Sequence, residues 1–209
     1  MRDLLSTFPR DVPIFPLSEV VLFPGALLPL HIFEKRYQAM LKDVLEGDRL
    51  IAMALLKQCT EKEYEEQPPF FGTVCVGQVI HHEKLGKGRS NIALLGLSAG
   101  RAEPADAKKP YRVARIDLLA DRFDAGNDYD EKLRRAFAEA MPEGGDVDGL
   151  RDQLAEFLSA EDVPAALLNT CALTAPLRAA EKLELLETRS VSRRLDRLLE
   201  LLSRPWRWN

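Results

Sequence analysis

The chain has 209 residues, of which 46% are hydrophobic and 30% are charged, a balance typical of globular proteins rather than disordered ones. The net charge is −4, and neither the part up to residue 120 (16 basic, 15 acidic) nor the rest (13 basic, 18 acidic) has the positive excess that binding to DNA or RNA usually needs. No apolar stretch reaches the roughly 18–20 residues of a membrane span and the N-terminus lacks the apolar centre of a secretion signal, so we expect a cytoplasmic protein without a membrane or nucleic-acid partner.

The segment VLFPGALLPLHIFEKRY (21–37) is an apolar run broken by two prolines and a glycine. Pro24–Gly25 predicts a turn between two strands. Pro29 indicates an edge strand or a bulge, because proline cannot donate a hydrogen bond within a central strand. From Tyr37 onward the apolar residues recur at helical spacing, so we predict a helix that ends at Gly47.

Further along, short segments rich in β-branched and aliphatic residues predict strands at 49–56, 72–82, 91–97 and 111–119. Between the second and the third of these, Gly86 and Gly88 predict a hairpin connection.

After residue 120 the apolar period changes to that of helices, with one stripe at 150–158 and a cleaner one at 191–202. Asp162 and Thr174 each precede a proline by two residues and are predicted to begin helices. The stretch PEGGDVDG (142–149) is typical of a linker between helices.

The fold class predicted from this pattern is α+β. A β-rich unit at residues 10–120 is followed by a helical bundle of four or five helices at residues 121–209.

Motifs for nucleotide or metal chemistry are not convincing. LGKGRSN (85–91) lacks the upstream glycine and the Ser/Thr of a phosphate-binding loop. His81 and His82 are neighbours on a strand, where adjacent side chains point to opposite faces and cannot easily share a zinc ion. His31 is interpreted as a buried or half-buried histidine bonded to its surroundings. We therefore predict no metal and no cofactor.

The three cysteines, Cys59, Cys75 and Cys171, are odd in number, far apart and never in a CxxC pair. This pattern favours a reducing compartment over a disulfide framework.

A serine hydrolase remains an alternative, because GLSAG (96–100) matches the GxSxG pattern of a nucleophile elbow around Ser98. That elbow requires a strand, a sharp turn and a helix. The downstream sequence RAEPADAKKP has two prolines and no apolar helical face, which disfavours this reading.

The residues also carry a family likeness. VPIFPLSEVVLFPGALLPLHIFEKRYQAMLKDVL (12–45) resembles the opening of the Lon N-terminal domain, the substrate-binding part of the ATP-dependent Lon proteases (protease La, peptidase S16). The resemblance continues through FGTVCVGQV (71–79), ALLGLSAGRAEP (93–104) and PYRVARIDLL (110–119). In the helical half, EKLELLETRSVSRRLDRLLELL (181–202) is similar to the family's final helices.

The resemblance implies a PUA-like mixed β pseudobarrel followed by a C-terminal helical bundle. It implies a non-catalytic module that binds unfolded or damaged polypeptides, in protein quality control or as an adaptor to a separate protease or chaperone. Because the sequence ends at Asn209 without the ATPase and Ser–Lys protease modules of Lon, we expect no enzymatic activity. An RNA-binding role remains an alternative by analogy with other PUA-like folds.

The substrate-binding residues predicted from the sequence are Phe33, Arg36, Tyr37, Phe70 and Phe71, at the start of the first helix and at the entry to a strand. They are aromatic or cationic residues, of the kind that anchor partners or close a barrel end. No catalytic residue is predicted. Trp206 and Trp208 are predicted to dock either on the chain's own bundle or on a partner.

Overall fold

The computed structural model describes residues 11–124, 126, 128–140, 149–150, 152 and 162–204. Trp206, Trp208, most of the predicted linker at 142–149 and most of the predicted stripe at 150–158 lie outside these residues. The strands are β1 (Asp11–Leu17), β2 (Leu27–Ile32), β3 (Leu50–Leu56), β4 (Phe70–Gly86), β5 (Arg89–Ala105) and β6 (Arg112–Leu119). The helices with both ends described are α1 (Lys35–Glu46), α2 (Glu61–Glu66), α3 (Tyr129–Ala140), α4 (Val163–Thr174), α5 (Ala179–Glu187) and α6 (Val191–Leu202).

The six strands form one mixed sheet in the order β2-β5-β4-β3-β1-β6, and an additional pairing of β5 with β6 closes it. β1 runs parallel to β3, and the other pairings are antiparallel. Five strands therefore make a closed barrel, with β2 attached outside the ring along β5. The PUA-like mixed pseudobarrel followed by helices is confirmed.

Two hydrophobic clusters lie on opposite faces of this sheet. The smaller one fills the barrel with side chains from strands, among them Ile14, Ala52, Val76 and Ile116. The larger one packs the outer side of the barrel against α1 and against α3–α6. Because strand residues alternate between faces, Ile51 and Met53 belong to the larger cluster while Ala52 belongs to the smaller.

The broken apolar run at 21–37 is explained by the way it meets β5. Gly25 has a φ of 75°, which its place in the turn after Pro24 requires. The turn is held by hydrogen bonds from Gly25 N to Gly96 O (2.8 Å) and from Gly96 N to Ala26 O (2.9 Å). A Cβ atom at Gly96 would lie only 2.0 Å from the carbonyl oxygen of Phe23, so no larger residue fits there. The turn at Phe23 and Pro24 therefore requires a glycine at position 96, some seventy residues later in the chain.

The helices largely follow the apolar pattern. α1 buries Tyr37, Met40, Leu41 and Val44, and the predicted stop at Gly47 is its C-cap. Asp162 is the N-cap of α4, as predicted, with Pro164 in the first turn. The prediction for Thr174 is wrong, because Thr174 is the last residue of α4. A proline disfavours helical dihedrals at the residue before it. Ala175, which precedes Pro176, is therefore extended and ends the helix.

Candidate functional site

β2, β5 and β4 form a three-stranded part of the sheet whose solvent-exposed side, turned away from the larger hydrophobic cluster, we call the outer face. The strand register places Pro29, Ala93 and His81 in one row across it. His31, Asn91 and Glu83 form the next row. The alternate residues of these strands, such as Ile32, Ile92 and Val79, are buried in the larger cluster.

Most of the large exposed apolar side chains of the described residues gather around this face. Six such side chains are exposed, and four of them are Leu27 on β2, Phe33 directly after β2, and Ile80 and Leu85 on β4. Phe33 is the most exposed of the six, at 60%. Ile80 is the extra residue of a β-bulge between Val79 and His81. Exposed apolar residues that gather rather than scatter indicate an interaction surface.

Three polar side chains on the outer face, His31, Asn91 and Glu83, are bonded to one another. Nδ1 of His31 lies 2.9 Å from Oδ1 of Asn91, and Nδ2 of Asn91 donates to Glu83 at 3.1 Å. The His31 ring stacks on Phe33 with ring centres 5.9 Å apart. The prediction that His31 is buried or half buried is wrong: its side chain is exposed, although it is bonded to its surroundings as predicted. These contacts fix the orientation of Phe33 relative to the sheet.

β2 is the edge of the sheet next to the outer face. Ala26 O accepts from Gly96 N, so the backbone groups of alternate residues 26, 28, 30 and 32 point toward β5. The backbone polar groups of the residues between them, Leu27, Pro29 and His31, point to the open edge of the sheet. Pro29 has no N–H to leave unpaired there, which confirms its prediction as an edge proline.

A cleft of about 300 Å³ lies on another side of α1 and is lined in part by Arg36, Tyr37, Pro68 and Arg112. The Arg36 guanidinium lies 4.7 Å from the ring centre of Tyr37 and 4.3 Å from that of Tyr64. It pairs with Glu34 at 2.9 Å and donates to the backbone carbonyl of Tyr64. Arg36 therefore joins the start of α1 to the end of α2.

Other polar groups of this cleft are also engaged. Asp43 accepts from Lys109 at 2.7 Å and from Tyr111 at 2.6 Å, and these hydrogen bonds lower the pKa of its carboxyl. Burial raises the pKa of Tyr37 far above its usual range, so its hydroxyl stays protonated. Among the described residues, Tyr37 Oη and Arg112 Nε are the buried side-chain polar atoms without a hydrogen-bond partner. Both of these atoms belong to residues that line the cleft, so its unpaired polar capacity is confined to these two groups among the buried side chains described.

The five predicted site residues do not form one surface. Arg36 and Tyr37 line the cleft, and the Arg112 guanidinium of the same cleft lies 5.6 Å from the ring centre of Phe70. Tyr37 and Phe70 are themselves buried. Phe33 lies on the outer face. Phe71 is partly exposed at the start of β4, with the Lys57 ammonium 5.4 Å from its ring centre.

The set of site residues predicted from the sequence does not include Leu27, Ile80 or Leu85. The alternation of buried and exposed residues along β2 carries a signal for Leu27, since Leu28, Leu30 and Ile32 point inward. Ile80 had no such signal, because the bulge that exposes it breaks the alternation of β4.

The context of Ser98 excludes a nucleophile elbow at that residue. Ser98 is buried in the middle of β5, with strand on both sides, and its hydroxyl donates to Ala99 O at 3.0 Å. The two glycines of the GxSxG match have structural reasons of their own. Gly96 faces the Phe23 carbonyl, and a Cβ at Gly100 would lie 2.5 Å from a methyl carbon of Ile116.

Metal-binding clusters and membrane-spanning helices are both absent from the described residues. Within them, no group of three or more His, Cys, Asp or Glu side chains is placed to hold a metal ion. None of the helices in this part of the chain is long and apolar enough to cross a membrane.

Comparison with known proteins identifies the family. A model of the ATP-dependent protease La (LON) substrate-binding domain matches residues 11–204. The chain belongs to this family. Lon protease 2 of Myxococcus xanthus is 28% identical over 207 residues, which cover 94% of this chain and 24% of that protein. The Lon protease of Desulfovibrio desulfuricans is 29% identical over 198 residues, with 93% of this chain and 22% of that protein covered.

The chain thus spans about a quarter of the length of these LON relatives. Solved structures agree on the fold. The N-terminal domain of Mycobacterium avium complex Lon protease aligns with a TM-score of 0.59 at 14% identity and covers 92% of this chain and 98% of that one. The Lon N-terminal domain protein of Xanthomonas campestris gives a TM-score of 0.59 at 20% identity, with 91% and 97% covered.

Proposed function

We propose that this LON domain captures apolar segments of unfolded or damaged polypeptides on its outer face, for protein quality control or as an adaptor to a separate protease or chaperone. The observation that carries the proposal is the presence of Leu27, Phe33, Ile80 and Leu85 around a sheet face on which three polar side chains are hydrogen-bonded to one another. The family description as a substrate-binding domain supports the same reading.

The chemistry of the outer face suits weak and reversible capture. Burying one Leu or Phe side chain of a client contributes about 1.5–3 kcal/mol, and association opposes this with a large entropic cost. A patch of a few such side chains therefore holds a segment without a defined sequence and releases it again. His31, Asn91 and Glu83 keep their hydrogen bonds to one another within the face. An apolar segment bound there would therefore leave few of their polar groups without a hydrogen-bond partner.

The proposal assigns no catalytic step to this chain, since Ser98 is a buried strand residue. It also places the protein in the cytoplasm. Cys59, Cys75 and Cys171 are all free thiols, as expected in a reducing compartment.

The test is capture of a permanently unfolded, fluorescently labelled test protein, followed by anisotropy. Phe33→Ala is expected to weaken binding about 10-fold, equivalent to about 1.4 kcal/mol, because the most exposed anchor is removed. Phe33→Ala combined with Leu85→Ala is expected to weaken it further. Thermal melting should change little in both, because neither side chain is buried.

Phe123→Ala is the matched control. Phe123 is 54% exposed but lies against Tyr129 at the start of α3, with ring centres 5.6 Å apart. The Phe123→Ala variant should bind the unfolded test protein with the same affinity as the unchanged chain. If Phe33→Ala combined with Leu85→Ala captured the test protein with unchanged affinity, the outer face would not be the client surface.

A further inference from the structure

A second surface, which we call the basic groove, lies between α1 and the hairpin of β4 and β5. Its volume is about 400 Å³. Leu41 and Leu45 of α1 supply apolar lining, while Lys42, Lys84 and Arg89 supply three positive charges. Within the described part of the chain, Glu46 is the one carboxylate that lines the groove.

Some cations of this chain are held in salt bridges with carboxylates. Lys109 is paired with Asp43, Lys132 with Asp128 and Asp196. In contrast, no carboxylate of the described residues lies within 4 Å of the charged groups of Lys42, Lys84 or Arg89. The groove therefore has positive charge available for a ligand, at the cost of local repulsion when it is empty.

The walls of the groove are held in place by close contacts. A Cβ atom at Gly88 would lie 2.4 Å from Oε1 of Gln38, so the hairpin tip lies directly against α1. Gln38 in turn donates to the Phe33 carbonyl at 2.7 Å. Nε2 of His82 lies 3.1 Å from Oγ of Ser90, which links the two hairpin strands inside the groove. The ligand would thus meet a preformed surface.

We propose that the basic groove binds acidic polypeptide segments, in which an apolar side chain contacts Leu41 and Leu45 and flanking carboxylates pair with Lys42, Lys84 and Arg89. This proposal rests on the proposed function and names the client class: apolar segments flanked by Asp or Glu. Charge complementarity carries it, because three unpaired cations surround apolar lining. A nucleic acid fits less well, since no Phe, Tyr or Trp of the described part of the chain lines the groove for bases to stack on.

The basic groove and the outer face can be tested separately, because they use opposite faces of one hairpin. Lys84 and His82 line the groove, whereas Glu83 lies in the outer-face row of His31 and Asn91, and the exposed Leu85 is not among the lining residues of the groove. A change at Lys84 therefore alters the groove, and a change at Leu85 alters the outer face.

The experiment compares three synthetic peptides that share one central Leu–Phe core, flanked by Asp/Glu, by Ser/Asn or by Lys. Binding is measured by fluorescence anisotropy at low and high salt. We expect the acidic peptide to bind about 10-fold more tightly than the neutral one at low salt, with the difference shrinking as salt screens the charges. Lys84→Glu combined with Arg89→Glu should abolish this preference and favour the Lys-flanked peptide.

Lys62→Glu is the control, since Lys62 is an exposed cation of α2 outside the groove, and it should keep the acidic preference. Equal affinity for the three peptides, or an acidic preference that survives the double reversal, would overturn the proposal. So would an RNA oligonucleotide that binds more tightly than the acidic peptide and displaces it. If the acidic preference is absent while Phe33→Ala still weakens capture of the unfolded test protein, the groove inference fails and the proposed function stands.

Discussion

Arg194 is a fully buried cation that joins four separate parts of the chain. Its guanidinium donates to both carboxylate oxygens of Asp121, at 2.7 and 2.6 Å, and to Oδ1 of Asn169 at 2.8 Å. It also donates to the backbone carbonyls of Leu185 and Thr188. Asn169 continues the network to the turn of the barrel by donating to Pro24 O at 2.8 Å. Only arginine offers enough donors in a fixed plane for this arrangement, so lysine is not an equivalent replacement.

We expect Asp121→Ala to lower the free energy of unfolding by about 3–5 kcal/mol, because it leaves the buried charge of Arg194 without its carboxylate. Urea unfolding followed by circular dichroism measures the change. Arg193→Met is the matched control, since Arg193 is exposed one position earlier on α6, and it should change stability by less than about 0.5 kcal/mol. Equal stability of Asp121→Ala and the control would show that the network contributes nothing net.

Phe70 and Phe71 are neighbours in sequence with opposite environments. Phe70 packs inside the barrel cluster, whereas Phe71 is 38% exposed on the other side of the strand. Phe70→Ala is expected to cost about 3–5 kcal/mol of stability, because it removes a buried aromatic ring. Phe71→Ala should cost less than about 1 kcal/mol.

Thermal and urea unfolding of the two Phe variants provide the comparison. Their capture of an unfolded test protein should be measured alongside. Loss of capture by Phe71→Ala without loss of stability would bring Phe71 into the client surface. Similar stability losses in both would contradict the assignment of the two faces.

Strands and helices were predictable where apolar periodicity was strong, and less so at their ends. β4 and β5 each have 17 residues, longer than the predicted 72–82 and 91–97. Their hairpin arms extend beyond the core, so polar residues such as Lys84 and Arg89 give no strand signal there. α2 was not predicted because it buries no residue. Its one signal is the capping box in which the Thr60 side chain accepts from Glu63 N and Glu63 accepts from Thr60 N.

The start of α6 is supported by Asp124, from outside the helix. Its carboxylate accepts from the Ser190 hydroxyl at 2.7 Å and from the backbone N–H of Ser192 at 3.1 Å. Ser190 is the N-cap and accepts from Arg193 N. The hydrogen bond from Ser190, with that from Ser192, lowers the pKa of Asp124 to about 2.

The lowered pKa predicts a particular acid response. A carboxyl whose pKa is lower in the folded chain than in the unfolded one, where it is about 3.9, stabilises the fold above that value. The contribution of Asp124 should therefore be present at neutral pH and lost as pH falls from about 4 to 2. Carboxyl-carbon NMR should show Asp124 titrating near pH 2, and Asp124→Asn should flatten the loss of stability in this window. A midpoint near the unfolded value would contradict the contacts described.

The candidate site was only partly predictable from sequence, because it depends on register and packing between distant segments. Phe33 could be identified, since an aromatic residue that follows an edge strand next to charged residues has few places to bury. Tyr37 and Phe70 are aromatic residues predicted for the same surface, but both are buried. The basic groove depends on a contact between Gln38 and Gly88, fifty residues apart, which no local pattern reveals.

The division of the chain into units at 10–120 and 121–209 remains a prediction about architecture, and the larger hydrophobic cluster bears on its stability. This cluster contains barrel residues such as Phe15 and Leu22 together with helical residues such as Leu167 and Leu198. Elements that share one continuous core usually unfold together. We therefore expect the full chain to melt in a single transition, with a calorimetric enthalpy equal to the van't Hoff enthalpy.

The same packing predicts the behaviour of the first unit alone. A fragment of residues 10–120 keeps all six strands, but it loses α3–α6, which cover the outer side of the barrel. The exposed apolar area should make this fragment bind the dye ANS and associate, whereas the full chain binds little dye. Gel filtration and dye fluorescence of the fragment and the full chain make the comparison. A fragment that stays monomeric and melts cooperatively would show that the barrel is a stable unit by itself, and the helices would then be an addition to it rather than the second wall of its core.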